Sequence, residues 1–331
     1  MNNMNKTTIT GLGVALPETE LTSAELARRL GSTEQWITVR TGIHSRRIAS
    51  EVETTDYLGR LASTSALLDA GLEPADIDLI ICATITSERR FPSTACLIQR
   101  TFNTTVPAFD VGAGCSGFLF ALQIADSAIR ARTARRVLVV GTEVLSRITD
   151  PDDPKTSVLF GDGAGAAIVE QSSHGMDVGP IRLFSDGRRP HLLDVDPATD
   201  FIRMEGREVF RAAVAGMAGS IAQLIAEHDL AKDEVDLLIA HQANQRILDA
   251  VAVKLGLDPS VVYSNIARYG NTSAASIPIA LHDARREGLI KDDSLIVLTA
   301  FGAGFTWGAG FLRAGSRKKD AIAAGAGVRH A

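Results

Sequence analysis

The sequence predicts a layered α/β fold that is built twice. Short aliphatic runs alternate with helix-patterned stretches along the chain of 331 residues. Residues 76–81 match residues 234–239, and residues 137–140 match residues 295–298, both at an offset of 158 positions. Gly112, in a glycine-rich loop, is matched by Gly270 at the same offset. Three matches in one order at one offset indicate an internal duplication.

The aliphatic runs predict strands, and the stretches between them predict helices. Near-continuous Val, Ile and Leu runs are typical of strands that helices cover on both faces. We expect strands at residues 79–83, 137–141, 237–240 and 296–298. The helical candidates are residues 23–30, 57–70, 118–130, 208–227, 244–255 and 276–286. Six prolines fall between these elements, as prolines do in loops, and they are Pro92, Pro107, Pro151, Pro154, Pro190 and Pro197.

The duplication also suggests where the chain divides. We assign residues 1–170 to an N-terminal half and residues 171–315 to a C-terminal half. Residues 188–200 contain two prolines and three aspartates, so we expect a surface loop there. The tail, residues 316–331, is rich in Ala, Gly and basic residues and is predicted to be disordered.

Composition argues against several classes of protein. Lys and Arg total 34 against 39 Asp and Glu, so the formal net charge of −5 gives no basic field for nucleic acid. No run approaches about 18 apolar residues and no leader-like segment opens the chain, which predicts a cytoplasmic protein without a membrane span. The three cysteines lack metal-ligand spacing, so no metal site is expected.

Cys115 is the first candidate for chemistry. It follows the apolar residues 106–111 and precedes the predicted helix at 118–130, so it lies on a strand-to-helix turn. Free N–H groups at a helix start favour a thiolate. Lowering a thiol pKa from about 8.5 to about 7 takes roughly 2 kcal/mol, whereas a helix end supplies about 0.3–1 kcal/mol when exposed and up to about 2 kcal/mol when partly buried. A helix end alone is therefore marginal, and we expect a nearby imidazole to complete the activation.

His241 and Asn271 follow apolar strands of the second half, as Cys115 does in the first. Sites in open α/β sheets gather beyond the carboxyl ends of the strands. We therefore expect the three side chains to meet between the halves. The alternatives are a structural histidine and, for Asn271, an ordinary turn residue.

One glycine-rich segment allows a different interpretation. Residues 161–166 (GDGAGA) fit a loose dinucleotide-binding fingerprint. They lead into the short strand-like run 167–170 instead of opening a helix, which argues against that interpretation. Residues 301–308 form another glycine-rich turn, which is either a tight reversal or a source of oxyanion-binding N–H groups.

Four motifs resemble a known enzyme family. They are residues 114–117 (GCSG), 241–244 (HQAN), 269–276 (YGNTSAAS) and 301–308 (FGAGFTWG). With them, residues 6–313 resemble 3-oxoacyl-acyl-carrier-protein synthase III, the initiating condensing enzyme of the thiolase superfamily. The resemblance implies a duplicated five-layer α-β-α-β-α thiolase fold and a homodimer. It also implies a decarboxylating acyltransferase of fatty-acid biosynthesis, with no cofactor besides its thioester substrates.

The resemblance further implies how the reaction proceeds. Cys115 would take an acyl group from acyl-coenzyme A as a thioester, and malonyl-acyl-carrier protein would then lose carbon dioxide and attack that thioester. His241 and Asn271 would donate hydrogen bonds to the malonyl thioester oxygen. The backbone N–H groups of Cys115 and Ala303 would form an oxyanion hole, and Phe301 would desolvate the leaving carboxylate.

Binding residues are implied in the same way. Trp36 and Arg40 match positions that contact coenzyme A at the tunnel mouth, and Asn244 matches one along the pantetheine path. Phe91 matches the residue that floors the acyl pocket across the dimer interface.

The resemblance points to one helix for docking the acidic acyl carrier protein. Arg246 and Lys254 are eight residues apart on it and close in azimuth. A merely solvated charged face is the alternative.

The chain departs from the family pattern around donor binding. Pro154, with Lys155 beside it, replaces the usual arginine near the adenine site, and Arg89 and Arg90 stand where uncharged residues are common. Residues 188–200 form a shorter segment than usual, and the middle glycine of the 301–308 turn is Ala303. These changes leave open the chain length of the acyl donor. They also leave open whether coenzyme A or a carrier protein delivers the acyl group.

Three other functions compete. A specialised relative in secondary metabolism would use a medium-chain donor or a non-malonyl acceptor. A papain-like hydrolase shares the chain order Cys, His, Asn, but its local cysteine signature is missing. A non-catalytic scaffold of the same fold would not need to keep Cys115, His241 and Asn271.

Overall fold

The computed structural model describes residues 6–315, so the prediction for the tail lies outside the described residues. The strands are β1 (Thr7–Ala15), β2 (Glu20–Thr22), β3 (Ser45–Arg47), β4 (Leu79–Ala83), β5 (Ala108–Val111), β6 (Arg136–Glu143), β7 (Gly163–Gln171), β8 (Met176–Ser185), β9 (Leu193–Val195), β10 (Ile202–Met204), β11 (Leu237–Ala240), β12 (Val262–Tyr263), β13 (Leu295–Gly302) and β14 (Thr306–Ala314). The α-helices are α1 (Ser23–Arg29), α2 (Glu34–Thr41), α3 (Thr55–Ala70), α4 (Thr94–Thr101), α5 (Gly117–Arg130), α6 (Gly206–Glu227), α7 (Gln245–Leu255), α8 (Ile266–Tyr269) and α9 (Ser276–Arg286). The strands and helices predicted from the sequence are confirmed, with ends shifted by a few residues.

The main sheet has the order β12-β11-β13-β14-β8-β1-β7-β6-β4-β5. From its centre outward, one side runs β1-β7-β6-β4-β5 and the other runs β8-β14-β13-β11-β12. Each side therefore places its first, fifth, fourth, second and third strand in the same order. The two sides join through the short pairing of Thr8 with Asp177 and Ile9 with Met176. The strand order is thus duplicated, while the boundary at residue 170 stays a prediction.

Alternate strand residues pack into different apolar clusters, which produces the layers. In β6, Val139 belongs to a central cluster with α5 and α9, whereas Val140 belongs to an outer cluster with α3. In β13, Leu298 faces the same central cluster and Val297 faces a second outer cluster with α6 and α7. Burial on both faces explains why these strands are almost wholly aliphatic. The resulting order of layers is α-β-α-β-α.

The expectation of a surface loop over residues 188–200 is wrong in part. β9 lies within this stretch and pairs with β10, so that Leu193 faces Met204 across the ladder. Ile202 likewise faces Val195. The residue pair between these two, Arg203 and Asp194, lies on the opposite face and forms a salt bridge at 2.7 Å. This two-residue alternation defines a small hairpin with an apolar face and a charged face.

The helix α6 is long and apolar enough to cross a membrane by length and composition alone. In the fold, 44% of its most apolar window is buried. It packs against β13, β14 and α7, as a core helix does.

Candidate active site

Cys115 lies in a 3-10 turn, Gly114–Ser116, between the end of β5 and the start of α5. Its side chain is partly buried, and Gly114 before it has φ of +54°, which favours glycine. A Cβ at Gly114 would lie 3.0 Å from the backbone nitrogen of Ala303. The turn that carries Cys115 therefore packs directly against the turn that follows β13.

His241 follows β11 and is 1% exposed. Its Nδ1 lies 2.7 Å from the Ser276 hydroxyl oxygen, which also accepts the backbone N–H of Gln242 at 3.3 Å. Because the Ser276 oxygen already accepts one N–H, its own hydroxyl proton is available to donate to Nδ1. Nδ1 is then an acceptor, so we assign the ring proton to Nε2. Nε2 is then free to donate a hydrogen bond.

Asn271 is held by backbone and side-chain bonds. Its N–H donates to the carbonyl of Leu159, and its own carbonyl accepts the N–H of Gly161. Its Oδ1 accepts the Ser273 N–H at 2.9 Å. With the oxygen engaged, the side-chain amide presents Nδ2 as a donor.

One cavity of about 650 Å³ brings most of the candidate residues together. Among its lining residues are Trp36, Arg40, Cys115, His241, Asn244, Arg246, Asn271, Phe301 and Ala303, with Pro154 and Lys155. The cysteine comes from the first half of the chain and the histidine and asparagine from the second. The expected meeting of these three side chains is therefore observed.

Phe91 and Lys254 do not line this cavity. Phe91 is 85% exposed at the surface. Lys254 is exposed near the end of α7. Neither the pocket-floor role of Phe91 nor the docking role of Lys254 is tested within a single chain, and both stay predictions.

Burial dominates the electrostatics of the site. It raises the pKa of the Cys115 thiol to about 11, against a smaller lowering by the Ser273 hydroxyl. It lowers the pKa of His241 to about 3, so the imidazole is neutral at physiological pH. In the described protein the resting pair is therefore a neutral thiol and a neutral imidazole. The expectation that the helix end and an imidazole together lower the thiol pKa is not met in this state.

The mouth of the cavity is positively charged although the chain is acidic overall. Five basic side chains line the cavity, and they are Arg40, Lys155, Arg207, Arg211 and Arg246. The Arg40 guanidinium lies 4.5 Å from the Trp36 ring centroid, so Trp36 has a cationic partner without the missing family arginine. Asn244 caps α7 and donates to the Arg40 carbonyl at 3.0 Å, which ties the two sides of the mouth together.

Much of the rest of the cavity lining is apolar. The hairpin contributes Leu193, Val195, Ile202 and Met204 together with Asp194, and α6 contributes further apolar residues. Phe301 packs against Phe305 with ring centroids 4.8 Å apart. The cavity can therefore hold a ligand with an anionic or polar end at the mouth and an apolar end inside.

Sequence reasoning missed three buried polar residues. Ser273 and Ser276 lie inside the 269–276 motif, and Glu143 is the last residue of β6. The Glu143 carboxylate is 0% exposed and accepts a hydrogen bond from Ser273. A charged residue that ends an apolar strand was the available signal. Among the described residues, no group of three or more His, Cys, Asp or Glu is arranged to hold a metal ion.

The chain matches the models of a known protein family. The family model described as 3-oxoacyl-[acyl-carrier-protein (ACP)] synthase III matches residues 109–187, and the model of its C-terminal part matches residues 225–314. A beta-ketoacyl-[acyl-carrier-protein] synthase III of Aquifex aeolicus is 48% identical over 93% of this chain and 99% of that protein. One of Rhodospirillum rubrum is 46% identical over 94% of this chain and 100% of that protein.

Solved structures agree with these sequences. The crystal structure of the Aquifex aeolicus 3-oxoacyl-[acyl-carrier-protein] synthase III has a TM-score of 0.90 and covers 93% of this chain and 99% of that one. The priming beta-ketosynthase of the R1128 polyketide pathway is 34% identical, with a TM-score of 0.89 over 96% of this chain and 99% of that one.

Proposed function

This chain belongs to the 3-oxoacyl-[acyl-carrier-protein] synthase III family of thiolase-fold condensing acyltransferases, and we propose that Cys115, His241 and Asn271 carry its reaction. The reaction is a decarboxylative condensation that initiates fatty-acid biosynthesis. The observation that supports the proposal most strongly is the single cavity in which a thiol of one half faces an imidazole and an amide of the other. Such a site supplies one nucleophile and two neutral donors.

In the first half-reaction, the Cys115 sulfur attacks the carbonyl of an acyl-coenzyme A and coenzyme A leaves. The backbone N–H groups of Cys115 and Ala303 stabilise the tetrahedral oxyanion. The close packing of their two turns supports this role. Trp36, Arg40 and Asn244 bind the coenzyme A and pantetheine parts at the cationic mouth.

In the second half-reaction, malonyl-acyl-carrier protein enters the same cavity and loses carbon dioxide. The His241 Nε2–H and the Asn271 amide donate to the thioester oxygen, where negative charge develops. The neutral state of the buried imidazole fits a donor that keeps its proton. Phe301 surrounds the carboxylate with apolar surface, which favours its loss.

Partners and location are part of the same proposal. Acyl carrier protein is acidic, and Arg246 at the cavity mouth with Lys254 on the same helix offers it a basic face. A homodimer would cover the exposed ring of Phe91 and bring it to the acyl pocket of the second copy. We place the reaction in the cytoplasm, without a resident cofactor.

Intact-protein mass spectrometry after incubation with acyl-coenzyme A tests the assigned roles. Cys115→Ala should abolish acyl labelling, whereas Cys96→Ala, a matched change at another thiol, should label normally. His241→Ala and Asn271→Ala should still label but lose roughly 10²- to 10³-fold in malonyl decarboxylation, as expected for oxyanion donors. Loss of labelling with decarboxylation intact would show that the roles are wrongly assigned.

A specialised relative of secondary metabolism is the second candidate. The apolar wall built by the hairpin favours it, because Leu193, Ile202 and Met204 offer room for an acyl chain longer than acetyl. The same labelling assay with donors of increasing length distinguishes the two. Labelling by acetyl-coenzyme A alone would exclude the specialised function.

A further inference from the structure

Asn271 reaches the cavity from a loop of the second half that the first half of the chain holds in place. Its backbone N–H donates to the Leu159 carbonyl at 2.9 Å, and its own carbonyl accepts the Gly161 N–H at 3.0 Å. These two bonds fix the position of the backbone. They do not fix the rotation of the side chain about its own bonds, so the direction of the carboxamide depends on a separate contact.

Ser273 provides that contact. Its backbone N–H donates to Asn271 Oδ1 at 2.9 Å, and both residues are buried. With its oxygen held in this way, the carboxamide directs its two N–H donors elsewhere. A flipped carboxamide would place its NH2 group against the Ser273 N–H, and a buried donor would lose its acceptor.

The Ser273 backbone adopts a conformation that needs support. Its φ of +49° lies in the left-handed region, which is uncommon for a residue other than glycine. Such a conformation persists when the surrounding structure holds it in place. Ser273 is fully buried, and its hydroxyl donates to Glu143 Oε1 at 3.0 Å. This hydrogen bond joins the turn of the second half to the end of β6 in the first half.

Glu143 is a rigid anchor for that bond. Its carboxylate is 0% exposed, so it is held by hydrogen bonds instead of water. Three donors of residues 84–86 bind its Oε2, and they are the Thr86 hydroxyl at 2.6 Å, the Thr84 hydroxyl at 3.1 Å and the Ile85 N–H at 3.1 Å. The backbone of β6 also lies close to the turn, because a Cβ at Gly141 would lie 2.4 Å from the Ala274 carbonyl oxygen.

We infer that Glu143 is a positioning residue for Asn271, an inference that rests on the proposed role of Asn271 as a donor to the malonyl thioester oxygen. Glu143 holds Ser273 through its hydroxyl, and the Ser273 N–H holds the Asn271 carboxamide with Nδ2 available to the cavity. A donor stabilises developing charge best when it is oriented before the charge appears. The contacts therefore serve the decarboxylating half-reaction. Acylation of Cys115 uses a different set of donors and does not depend on them.

Separate measurement of the two half-reactions tests this inference. Ser273→Ala removes the hydroxyl that binds Glu143 but keeps the N–H that binds Asn271, and Glu143→Ala removes the acceptor. Both variants should lower kcat for decarboxylation of malonyl-acyl-carrier protein by roughly 10- to 100-fold, because a small displacement of a reacting group costs that much. KM should change little, because the weakened bond is made mainly in the transition state. Single-turnover acylation by acyl-coenzyme A should stay within about threefold of wild type.

A conservative variant and a control separate positioning from general destabilisation. Glu143→Gln keeps a side chain that can hydrogen-bond the Ser273 hydroxyl, so it should recover most of the decarboxylation rate that Glu143→Ala loses. Ser63→Ala removes the hydroxyl of another fully buried serine, on α3, and should change neither half-reaction. If Glu143→Ala does not fold, Ser273→Ala alone decides.

A double variant shows whether Ser273 acts through Asn271. In Asn271→Ala there is no carboxamide to orient, so adding Ser273→Ala should change the decarboxylation rate by less than about twofold. A further loss of about 10-fold or more in the double variant would overturn the inference, because Ser273 would then act through another group.

The outcomes distinguish this inference from the proposed function. A wild-type decarboxylation rate in Ser273→Ala would overturn the positioning role, and so would equal losses in acylation and decarboxylation. Both results leave Asn271 as the donor, provided that Asn271→Ala is itself impaired in decarboxylation. Unimpaired decarboxylation by Asn271→Ala would instead overturn the proposed function of Asn271.

Discussion

The turn that carries Cys115 and the turn at Ser273–Ala275 occupy equivalent places in the two halves but differ in chemistry. Each is one 3-10 turn that leads directly into a helix of the central layer, α5 or α9. The first residue of each has positive φ, +54° at Gly114 and +49° at Ser273. The front turn, Gly114–Ser116, thus combines a glycine with a thiol. The rear turn, Ser273–Ala275, has instead a serine whose hydroxyl donates a hydrogen bond to a carboxylate.

The strand ends beside these turns differ in the same reciprocal way. Glu143 ends β6, and Phe301 lies 158 positions later near the end of β13. Glu143 binds the rear turn through Ser273, while β13 packs its last residue, Gly302, against the front turn. The duplicated backbone offers two similar turns, and divergence of a few side chains leaves one of them with the thiol that we propose as the nucleophile. The other turn holds Ser273 against the Glu143 carboxylate.

The largest effect is expected where β13 meets the front turn. In Gly302→Ala the added Cβ would lie 2.6 Å from the Cys115 nitrogen, so Cys115 or the strand must move. A displacement near 1 Å at reacting groups costs about 10²-fold, so single-turnover acylation should fall at least that much. The matched position is Val144, 158 positions earlier and directly after the end of β6, which already carries a side chain.

Val144→Ala controls for a disturbed strand end. Val144 is fully buried, so its truncation should cost about 2 kcal/mol of unfolding free energy in urea. Its acylation should nevertheless stay close to wild type. Equal acylation defects in the two variants would mean that the strand ends are equivalent after all, against the contrast drawn here.

Glu143 and His241 should make opposite contributions to the pH dependence of stability. Burial raises the pKa of Glu143 from 4.5 to about 7, so between these pH values the folded protein binds more protons than the unfolded chain. The contribution of Glu143 to the unfolding free energy is therefore greatest below pH 4.5 and falls by about 3 kcal/mol as pH rises to 7. Burial lowers the pKa of His241 from 6.5 to about 3, so below pH 6.5 the unfolded chain binds more protons and stability rises with pH. Between pH 4.5 and 6.5 the two trends oppose each other.

Urea unfolding of Glu143→Gln across this range separates the two trends. The variant lacks the Glu143 carboxyl group, whose contribution to the unfolding free energy decreases as pH rises. Its unfolding free energy should therefore rise with pH more steeply than that of wild type. The difference between the two proteins should change by about 3 kcal/mol from pH 4.5 to 7. Parallel curves would show that Glu143 ionises as freely in the folded protein as in the unfolded chain.

The same contrast explains what the sequence could predict. Cys115 and His241 each follow an apolar strand, so strand topology was enough to bring these two together. The expectation that Asn271 also follows a strand is wrong, because β12 ends at Tyr263 and the short helix α8 lies between it and Asn271. Glu143 was missed because its partners come from separate segments, around residue 85 and in the rear turn. Only the fold shows that this carboxylate is buried. The β9–β10 hairpin was missed because its prolines and aspartates hid a short alternating pattern.

The smallest effect is expected from the positive φ that the first residue of each turn adopts. Gly114→Ala puts a side chain at φ of +54° and a Cβ 3.0 Å from the Ala303 nitrogen, which should cost about 1–2 kcal/mol of unfolding free energy. Gly112→Ala, two residues earlier, meets nothing within 4 Å and should stay within about 0.5 kcal/mol of wild type. Chemical denaturation of both variants measures the difference. Equal stabilities would mean that the front turn tolerates a side chain as readily as the rear turn tolerates Ser273, and glycine would then be kept for access to the thiol rather than for backbone conformation.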